Sequence, residues 1–359
     1  MPSFVQIKSR LVDCGSLGLR HARSSASQFL LIIIVFLAAL ALSGCGGNAP
    51  QNGAANPEKI ASDSSECQVV KHALGETEIC EQPQRVVALD PHTLDLLLSL
   101  DLQPIGYAET RYVASENLGG SIKQVPYLGK YLESSLTHVG TRQQPSLETI
   151  LRLNPDLILK NYGADQSLYT RLSQIAPTLF FRDGSNNYQW QQGIRTIAQV
   201  TNREQRAQQV IKQHNQRIAR ARSELKSLTR GSEILLLAMS GLDRIEVFTG
   251  ETFAGDLLRN LGFKLVTPEG IQANSREIPI SLETLPQLHA DRMIVMASGN
   301  SRVKQIEKVW QQNPILRSQP AFQAGQVYFV DYQLWSRIGG PIASKLMIEQ
   351  IRSFLLESN

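Results

Sequence analysis

The 359-residue sequence has few cysteines, few aromatic residues and no strong excess of charge of either sign. Four cysteines are too few for a scaffold held together by disulfides. The formal net charge of +4 comes mostly from the first 45 residues, and 32 basic and 31 acidic residues remain without them. A body this close to neutral gives no reason to expect a nucleic acid as partner or attraction to an anionic membrane surface.

Common catalytic and metal-binding motifs are also missing. The sequence has no G-x-S-x-G elbow, no phosphate-binding P-loop, no H-E-x-x-H and no C-x-x-C. Its six histidines are scattered, so we expect no histidine-rich metal site and no cofactor. Asp90 and His92 could form an acid–base pair at the end of a strand, but residues of a strand-end turn explain them equally well. We therefore expect a protein that is not an enzyme.

No apolar run in the sequence is long enough for an ordinary membrane-spanning helix. Residues 29–42 form an apolar run of 14 after a basic stretch, which is typical of a signal peptide. The following Leu42-Ser43-Gly44-Cys45 resembles a bacterial lipobox, which implies cleavage before Cys45 and attachment of a diacylglycerol to its thiol. We thus expect a signal peptide at 1–44 and a flexible, small and polar tether at 45–66. The alternative is a short membrane anchor with an incidental cysteine.

Two cysteines remain in the body. Residues 67–82 contain two short strand-like runs around Gly75, and the resulting hairpin could bring Cys67 and Cys80 together. In an oxidising compartment a disulfide is then expected, with two unpaired thiols as the alternative. A metal site is less expected, because His72 is the only nearby soft ligand.

The body contains two sets of similar phrases. The phrase DLL occurs at residues 95–97 and 256–258, and the phrase SLET occurs at 146–149 and 281–284. In both copies an aspartate, Asp156 or Asp291, follows the leucine of SLET by nine residues and precedes an apolar strand. Alternating short strands and helices predict parallel βαβ units. We expect two similar α/β lobes, at 83–188 and 231–359, with a ligand cleft between them.

A connecting region at 189–230 contains one long amphipathic pattern. Its apolar stripe has 4-3-4-3-4-3 spacing and comprises Ala207, Ile211, His214, Ile218, Ala221, Leu225 and Leu228. A helix over 203–228 would be about 39 Å long, which is enough to join two lobes. The alternative is a coiled-coil dimer, but histidine and alanine in a seam of under four heptads favour a monomer. We expect His214 to be a packed or surface residue.

Arginine and aromatic residues follow several predicted strands. Because ligands bind beyond the carboxyl ends of strands in open α/β sheets, we expect these residues to line the cleft. Guanidinium groups pair with carboxylate-like oxygens, so the set suits a polyanionic ligand. The candidates are Arg111, Arg142, Tyr162, Arg182, Arg244, Trp335 and Arg337, and Arg276 lies in another polar loop.

The order of phrases resembles the type III substrate-binding proteins of ABC importers, in the branch that handles iron–siderophore complexes. The matching phrases are PQRVVALD at 83–90, VGTRQQPSLE at 139–148, LNPDLIL at 153–159, IAPT at 175–178, GDLL at 255–258, VYFV at 327–330 and GGP at 339–341. The resemblance implies two lobes joined by one long helix. It also implies a lipoprotein on the periplasmic side of the bacterial cell membrane. Such a protein captures a ferric siderophore or ferric citrate and delivers it to a membrane permease.

The resemblance also implies roles for two glutamates and a source for the iron ligands. Glu148 and Glu283, in the two SLET copies, would form salt bridges with arginines of the two permease subunits. The alternative is that each is a first-turn glutamate favoured by the helix dipole. The siderophore would hold the iron, so no metal ligand from the protein is expected. Cobalamin or haem binding is the alternative within this architecture, and a secreted enzyme or an adhesive lipoprotein is the alternative outside it.

Overall fold

The computed structural model describes residues 67–111, 125–161, 163, 165–181, 190–270 and 275–356. All of them belong to one unit of the chain, Asp63–Asn359. The predicted signal peptide, the tether with Cys45, and the candidate ligand residues Tyr162 and Arg182 lie outside the described residues. Among the helices that are described, none combines the length and the apolar character needed to cross a membrane.

The described chain begins with a disulfide-closed hairpin. Strands β1 (Gln68–His72) and β2 (Gly75–Ile79) pair antiparallel, and a Cys67–Cys80 disulfide joins their outer ends. The hairpin is attached to the edge of the first lobe, because the Ala73 N–H donates to the Phe180 carbonyl at 2.8 Å. The two cysteines are therefore paired in the structure, as the sequence led us to expect.

The N-terminal lobe is built on a five-stranded parallel sheet in the order β5-β4-β3-β6-β7. Its strands are β3 (Val86–Ala88), β4 (Gly106–Glu109), β5 (Thr137–Thr141), β6 (Leu157–Lys160) and β7 (Thr178–Phe180), and its helices are α1 (Pro91–Ser99), α2 (Leu147–Arg152) and α3 (Gln166–Ser173). The central strands are short apolar runs buried on both faces, as is typical of parallel sheets.

Three helices connect the lobes: α4 (Trp190–Val200), α5 (Glu204–Glu224) and α6 (Lys226–Thr229). The predicted long helix is α5, which has 21 residues. It ends earlier than expected, at Glu224, because the chain leaves helical geometry at Leu225 before the short α6 begins. The predicted stripe faces inward, and Ala207, Ala221 and Leu225 are fully buried.

The C-terminal lobe has a mixed sheet in the order β11-β9-β8-β12-β13, and β10 also pairs with β8. The strands are β8 (Glu233–Met239), β9 (Ile245–Phe248), β10 (Lys264–Leu265), β11 (Glu277–Ile280), β12 (Arg292–Ala297) and β13 (Val327–Asp331). Its helices are α7 (Phe253–Leu261), α8 (Val303–Gln312), α9 (Pro314–Arg317), α10 (Pro320–Gln323) and α11 (Pro341–Leu356).

The expectation of parallel units was wrong for one part of this second sheet. Strand β9 runs antiparallel to both β8 and β11. The physical reason is the connection between β8 and β9, residues 240–244, which is a tight turn. Parallel neighbours need a crossover of a dozen or more residues, whereas a short turn closes a hairpin.

The repeated aspartates perform the same task in both lobes. Asp156 accepts a hydrogen bond from the Arg85 N–H at 2.8 Å, and its own N–H donates to the Arg85 carbonyl. Asp291 accepts from the Glu233 N–H at 2.8 Å and returns the bond in the same way. Each aspartate thus fixes the start of its lobe's central strand, β3 or β8. The two lobes are similar in architecture, which confirms the predicted fold class.

The two SLET copies differ in local structure. The first opens helix α2, with Ser146 as its N-cap, whereas the second forms a 3-10 segment, Leu282–Gln287. Pro286 lies inside the second segment and has no N–H with which to close an α-helical hydrogen bond. Glu148 and Glu283 nevertheless occupy the same position after the serine, and both are exposed.

One hydrophobic core extends from the first lobe to the second. Alternate residues of β8 divide between two cores, with Leu236 facing the shared core and Leu237 facing the outer core of the second lobe. Helix α11 packs on both α1 and α5. The last helix of the chain therefore contacts the first lobe, although the sequence placed all of 231–359 in the second.

Candidate ligand-binding cleft

A cleft of about 1170 Å³ lies between the two lobes. The first lobe contributes residues that follow the carboxyl ends of three parallel strands, and α5 forms part of the wall. The second lobe contributes the segment before α7, the residues before β11, and a π-helical segment, Gln333–Ile338, after β13. The arginines that line this space are Arg142, Arg222, Arg259, Arg276 and Arg337.

Arg142 brings a guanidinium group to the cleft from the first lobe. It follows β5 directly, and its main chain is held on both sides. Its N–H donates to the Glu109 carbonyl at 2.9 Å, and its carbonyl accepts from Lys160 Nζ at 2.6 Å. The preceding Gly140 has a φ of +94°, and a Cβ there would lie 2.8 Å from the Gln144 carbonyl oxygen, so this loop requires glycine.

Arg337 brings a guanidinium group from the second lobe. It lies over the ring of Tyr332 at 4.8 Å from the ring centroid, and one Nη1–H donates to Gln333 Oε1 at 3.5 Å. Burial lowers the pKa of the Arg337 guanidinium, and the nearby positive charge of Arg142 lowers it further. The two arginines, from opposite lobes, are therefore close enough to repel each other across the cleft.

Two further arginines of the second lobe have local acidic or carbonyl partners. Arg276 donates to the main-chain carbonyl of Glu251. Arg259 pairs with Asp256 at 2.9 Å and with Glu251 at 3.8 Å. The rule that ligand residues follow strand ends does not predict Arg259 and Arg222, because both lie in helices.

An aromatic pair lies where the connecting helices meet the cleft. The indole of Trp190 and the imidazole of His214 contact edge to face, with ring centroids 4.8 Å apart. Burial, helped by the positive charge of Arg217, lowers the pKa of His214 to about 4. His214 is packed, as we expected, but it also lines the cleft, and its imidazole is neutral at neutral pH.

Two candidate residues are not among those that line the cleft, and a third lines it as a fully buried residue. Arg111 is exposed and is not part of the lining. Arg244 lies in the β8–β9 turn and pairs with Glu246 of its own hairpin at 3.2 Å. The Arg244 guanidinium group is therefore bonded to a residue of the same hairpin. Trp335 lines the cleft, as expected, but it is fully buried, and its indole N–H donates to Gln350 Oε1 at 2.7 Å. Of these three candidates, Trp335 is therefore among the residues that line the described cleft, and Arg111 and Arg244 are not.

The proposed acid–base pair is also not formed. The Asp90 carboxylate accepts from the Thr93 N–H at 2.8 Å and from the Asn161 N–H at 2.6 Å, so it caps α1. His92 Nδ1 lies 2.9 Å from the Ile338 carbonyl oxygen, which places its proton on that nitrogen. Asp90 stabilises the first lobe, and His92 ties it to the second.

A buried carboxylate of the first lobe is hydrogen-bonded to the second lobe. Glu109 is fully buried and accepts from Tyr107 Oη at 2.7 Å, from the Thr110 N–H at 2.6 Å and from Gln333 Nε2 at 3.1 Å. Burial raises the pKa of Glu109, and these three donors oppose that rise. Because Gln333 also contacts Arg337, this network holds the second-lobe arginine in a fixed relation to the first lobe.

The two glutamates predicted to contact a permease have exposed carboxylates. Glu148 lies 3.9 Å from Arg152 on the same helix, with both side chains largely exposed. Such a pair contributes little to stability. The main-chain N–H of Glu283 and the hydroxyl of Ser281 lower the pKa of Glu283. Both carboxylates are thus exposed and accessible to a partner.

Over the described ranges, one cluster of side chains has the residue types of a metal site. It consists of Cys67, Glu78 and Cys80. The two cysteines are joined in the hairpin disulfide, so their thiolates are not available as ligands.

Comparison with known proteins gives concordant results for the sequence and the fold. The profile of a family described as "Periplasmic binding protein" matches residues 86–334. The Fe(3+) dicitrate-binding periplasmic protein FecB of Escherichia coli is 31% identical over 73% of this chain and 82% of its own length. The Fe(3+)-citrate-binding protein YfmC of Bacillus subtilis is 27% identical over 92% of this chain and 98% of its own.

Solved structures show the same architecture. Staphylococcus aureus SirA complexed with staphyloferrin B has a TM-score of 0.66 and 26% identity, covering 80% of this chain and 98% of that chain. The catecholate-siderophore binding protein VctP of Vibrio cholerae has a TM-score of 0.61 and 23% identity, covering 80% of this chain and 100% of its own. Both structures cover the two lobes and support the fold assignment.

Proposed function

This chain belongs to the periplasmic binding protein family, and on that basis we propose that it captures ferric citrate or a related anionic ferric siderophore for an ABC importer. The observation that carries the proposal is the pair of guanidinium groups, Arg142 and Arg337, which face one cleft from opposite lobes. Guanidinium groups bind carboxylates through paired, charge-assisted hydrogen bonds. The names of two relatives, FecB and YfmC, state that those proteins bind Fe(3+) citrate, which is a carboxylate ligand of this kind.

The dimensions and charge of the cleft fit a chelate better than a bare ion. A space of about 1170 Å³ exceeds what most drug-sized ligands need. In this proposal the chelator supplies the iron ligands, and the protein supplies hydrogen-bond donors to the outer oxygens of the complex. Cobalamin or haem is disfavoured as the ligand, because the relatives are named for ferric chelates.

Delivery to a permease is the second part of the proposal. Glu148 and Glu283 would each contact an arginine of one permease subunit, with Cys45 carrying a lipid that keeps the protein at the periplasmic side of the cell membrane. The support is that both glutamates follow the serine of a repeated phrase and are exposed. Equivalent carboxylates on two similar lobes suit a partner with two-fold symmetry.

Titration of the purified protein with metal complexes tests the ligand. Trp190 lines the cleft, so its fluorescence should be quenched by a ferric complex bound there. We expect saturable quenching by ferric citrate, weaker quenching by a neutral ferric hydroxamate, and none by iron-free citrate at equal concentration. A protein that ignores ferric citrate, catecholate and hydroxamate complexes but responds to haem or cobalamin would refute the proposal.

A further inference from the structure

We propose that Lys160, which does not line the cleft, is a positioning residue that holds Arg142 in its ligand-binding conformation. The inference rests on the proposed function, because it assigns Arg142 to ligand binding. Lys160 is the last residue of β6 and its side chain is buried, with 3% of the residue exposed. Its ammonium group donates to the main-chain carbonyl of Arg142 at 2.6 Å.

Both peptide groups of Arg142 are thereby fixed to the sheet. The N–H side is bonded to the Glu109 carbonyl at the end of β4, and the carbonyl side is bonded to Lys160 at the end of β6. The bend of the loop at Gly140 and the 3.0 Å bond from the Gln144 N–H to the Thr141 carbonyl complete the turn. The Arg142 main chain therefore cannot shift along or away from the sheet without breaking one of these bonds.

A buried lysine at position 160 lowers the stability of the fold unless other interactions compensate. A buried ammonium group loses hydration, and here it also lies close to a second cation, the Arg142 guanidinium. The carboxylate of Asp90 opposes part of that cost. The lysine provides a charge-assisted hydrogen bond, and its side chain is long enough to extend from the sheet to the loop. Fixing the loop beforehand lowers the ordering cost that ligand binding would otherwise incur.

A double-mutant cycle separates positioning from any direct electrostatic action of Lys160. Lys160→Met shortens the side chain by one heavy atom and removes the donor, and it is measured in the original protein and in an Arg142→Ala background. We expect Lys160→Met to weaken ferric citrate binding about tenfold in the first background, comparable to the cost of ordering one long side chain. In the Arg142→Ala background it should weaken binding less than about twofold. Lys212→Met, on the exposed face of α5, is the matched control and should leave the affinity unchanged.

A ligand-independent measurement accompanies the cycle. Hydrogen exchange of the Arg142 amide in the unliganded protein should become faster in Lys160→Met, because the loop loses one of its two attachments. Lys160→Gln retains a donor on a shorter side chain, and partial recovery of both affinity and protection is expected. If Lys160→Met fails to fold, Lys160→Gln provides the same cycle at smaller amplitude.

Two results would overturn the inference. An equal loss of affinity in both backgrounds would mean that the ammonium group acts directly on the ligand. Unchanged affinity and unchanged exchange would mean that Lys160 does not hold Arg142. Failure of the original protein to bind any ferric chelate would instead refute the proposed function, while the exchange measurement would still report on the loop.

Discussion

Asp95 joins the first lobe to the last helix of the chain, and its carboxyl group makes stability depend on pH. The side chain is fully buried in α1 and accepts from the Ile342 N–H at 3.0 Å and from the Ala343 N–H at 2.9 Å, in the first turn of α11. Ser99 Oγ donates to the same carboxylate at 3.1 Å. Gly340 is required beside it, because a Cβ there would lie 2.4 Å from the carboxyl carbon.

Burial raises the pKa of Asp95 from its ordinary value of 3.8 to about 6, against the lowering effect of these hydrogen bonds. A raised pKa means that the folded state binds the proton more tightly than the unfolded chain. The contribution of Asp95 to stability therefore increases as the pH falls through 6, and it levels off below the unfolded value. A difference of roughly two pKa units corresponds to about 3 kcal/mol.

The test compares the original protein with Asp95→Asn by urea unfolding at several pH values between 7.5 and 4. Asparagine does not titrate, so subtracting its unfolding free energy removes the contributions of other groups. We expect the original protein to gain about 2.4 kcal/mol relative to the variant between pH 7 and pH 4. Asp243→Asn, in the exposed β8–β9 turn, controls for the loss of one negative charge. A difference that is constant with pH, or that shrinks as the pH falls, would refute this reasoning.

Three other changes give separable results. Arg337→Ala should weaken ferric citrate binding by about 10- to 100-fold, the cost of losing a charge-assisted hydrogen bond, and should affect a neutral ferric hydroxamate less. Equal losses for both ligands in fluorescence titrations would contradict this. Charge reversal to lysine at both Glu148 and Glu283 should abolish iron uptake by cells but leave ligand affinity intact. The control Glu204→Lys, on α5, should change neither uptake nor affinity. A loss of affinity in the Glu148 and Glu283 variant would instead place these two glutamates in the cleft. Cys80→Ser, which opens the hairpin disulfide, should lower the unfolding free energy by about 3 kcal/mol without changing ligand affinity. An unchanged denaturation midpoint would show that the hairpin does not take part in the global transition.

The two-lobe fold could be predicted because its signals are local and repeated. The apolar stripe of α5 has helical spacing, and the aspartates at 156 and 291 mark equivalent strand starts in both lobes. The antiparallel β9 could not be anticipated in the same way. Its position depends on the short turn at 240–244, and the strand's own sequence does not specify its direction.

The cleft was predicted less completely than the fold. Arg142 and Arg337 line it as expected, because the segments that follow strand ends share one rim. Arg244 satisfied the same rule but pairs with Glu246 and does not line the cleft. Trp335 does line the cleft, but it is buried and bonded to Gln350, a partner that only the folded chain brings close. Burial of a tryptophan cannot be distinguished from display in a cleft by sequence position, because both environments favour the same side chain.

An anomalous diffraction map recorded near the iron edge, from crystals of the protein with ferric citrate, would locate the bound complex. We expect one strong iron peak in the space between the lobes, with ligand oxygens at about 3 Å from the guanidinium groups of both Arg142 and Arg337. Iron bound outside that space, or a complex contacted by arginines of one lobe alone, would contradict this expectation.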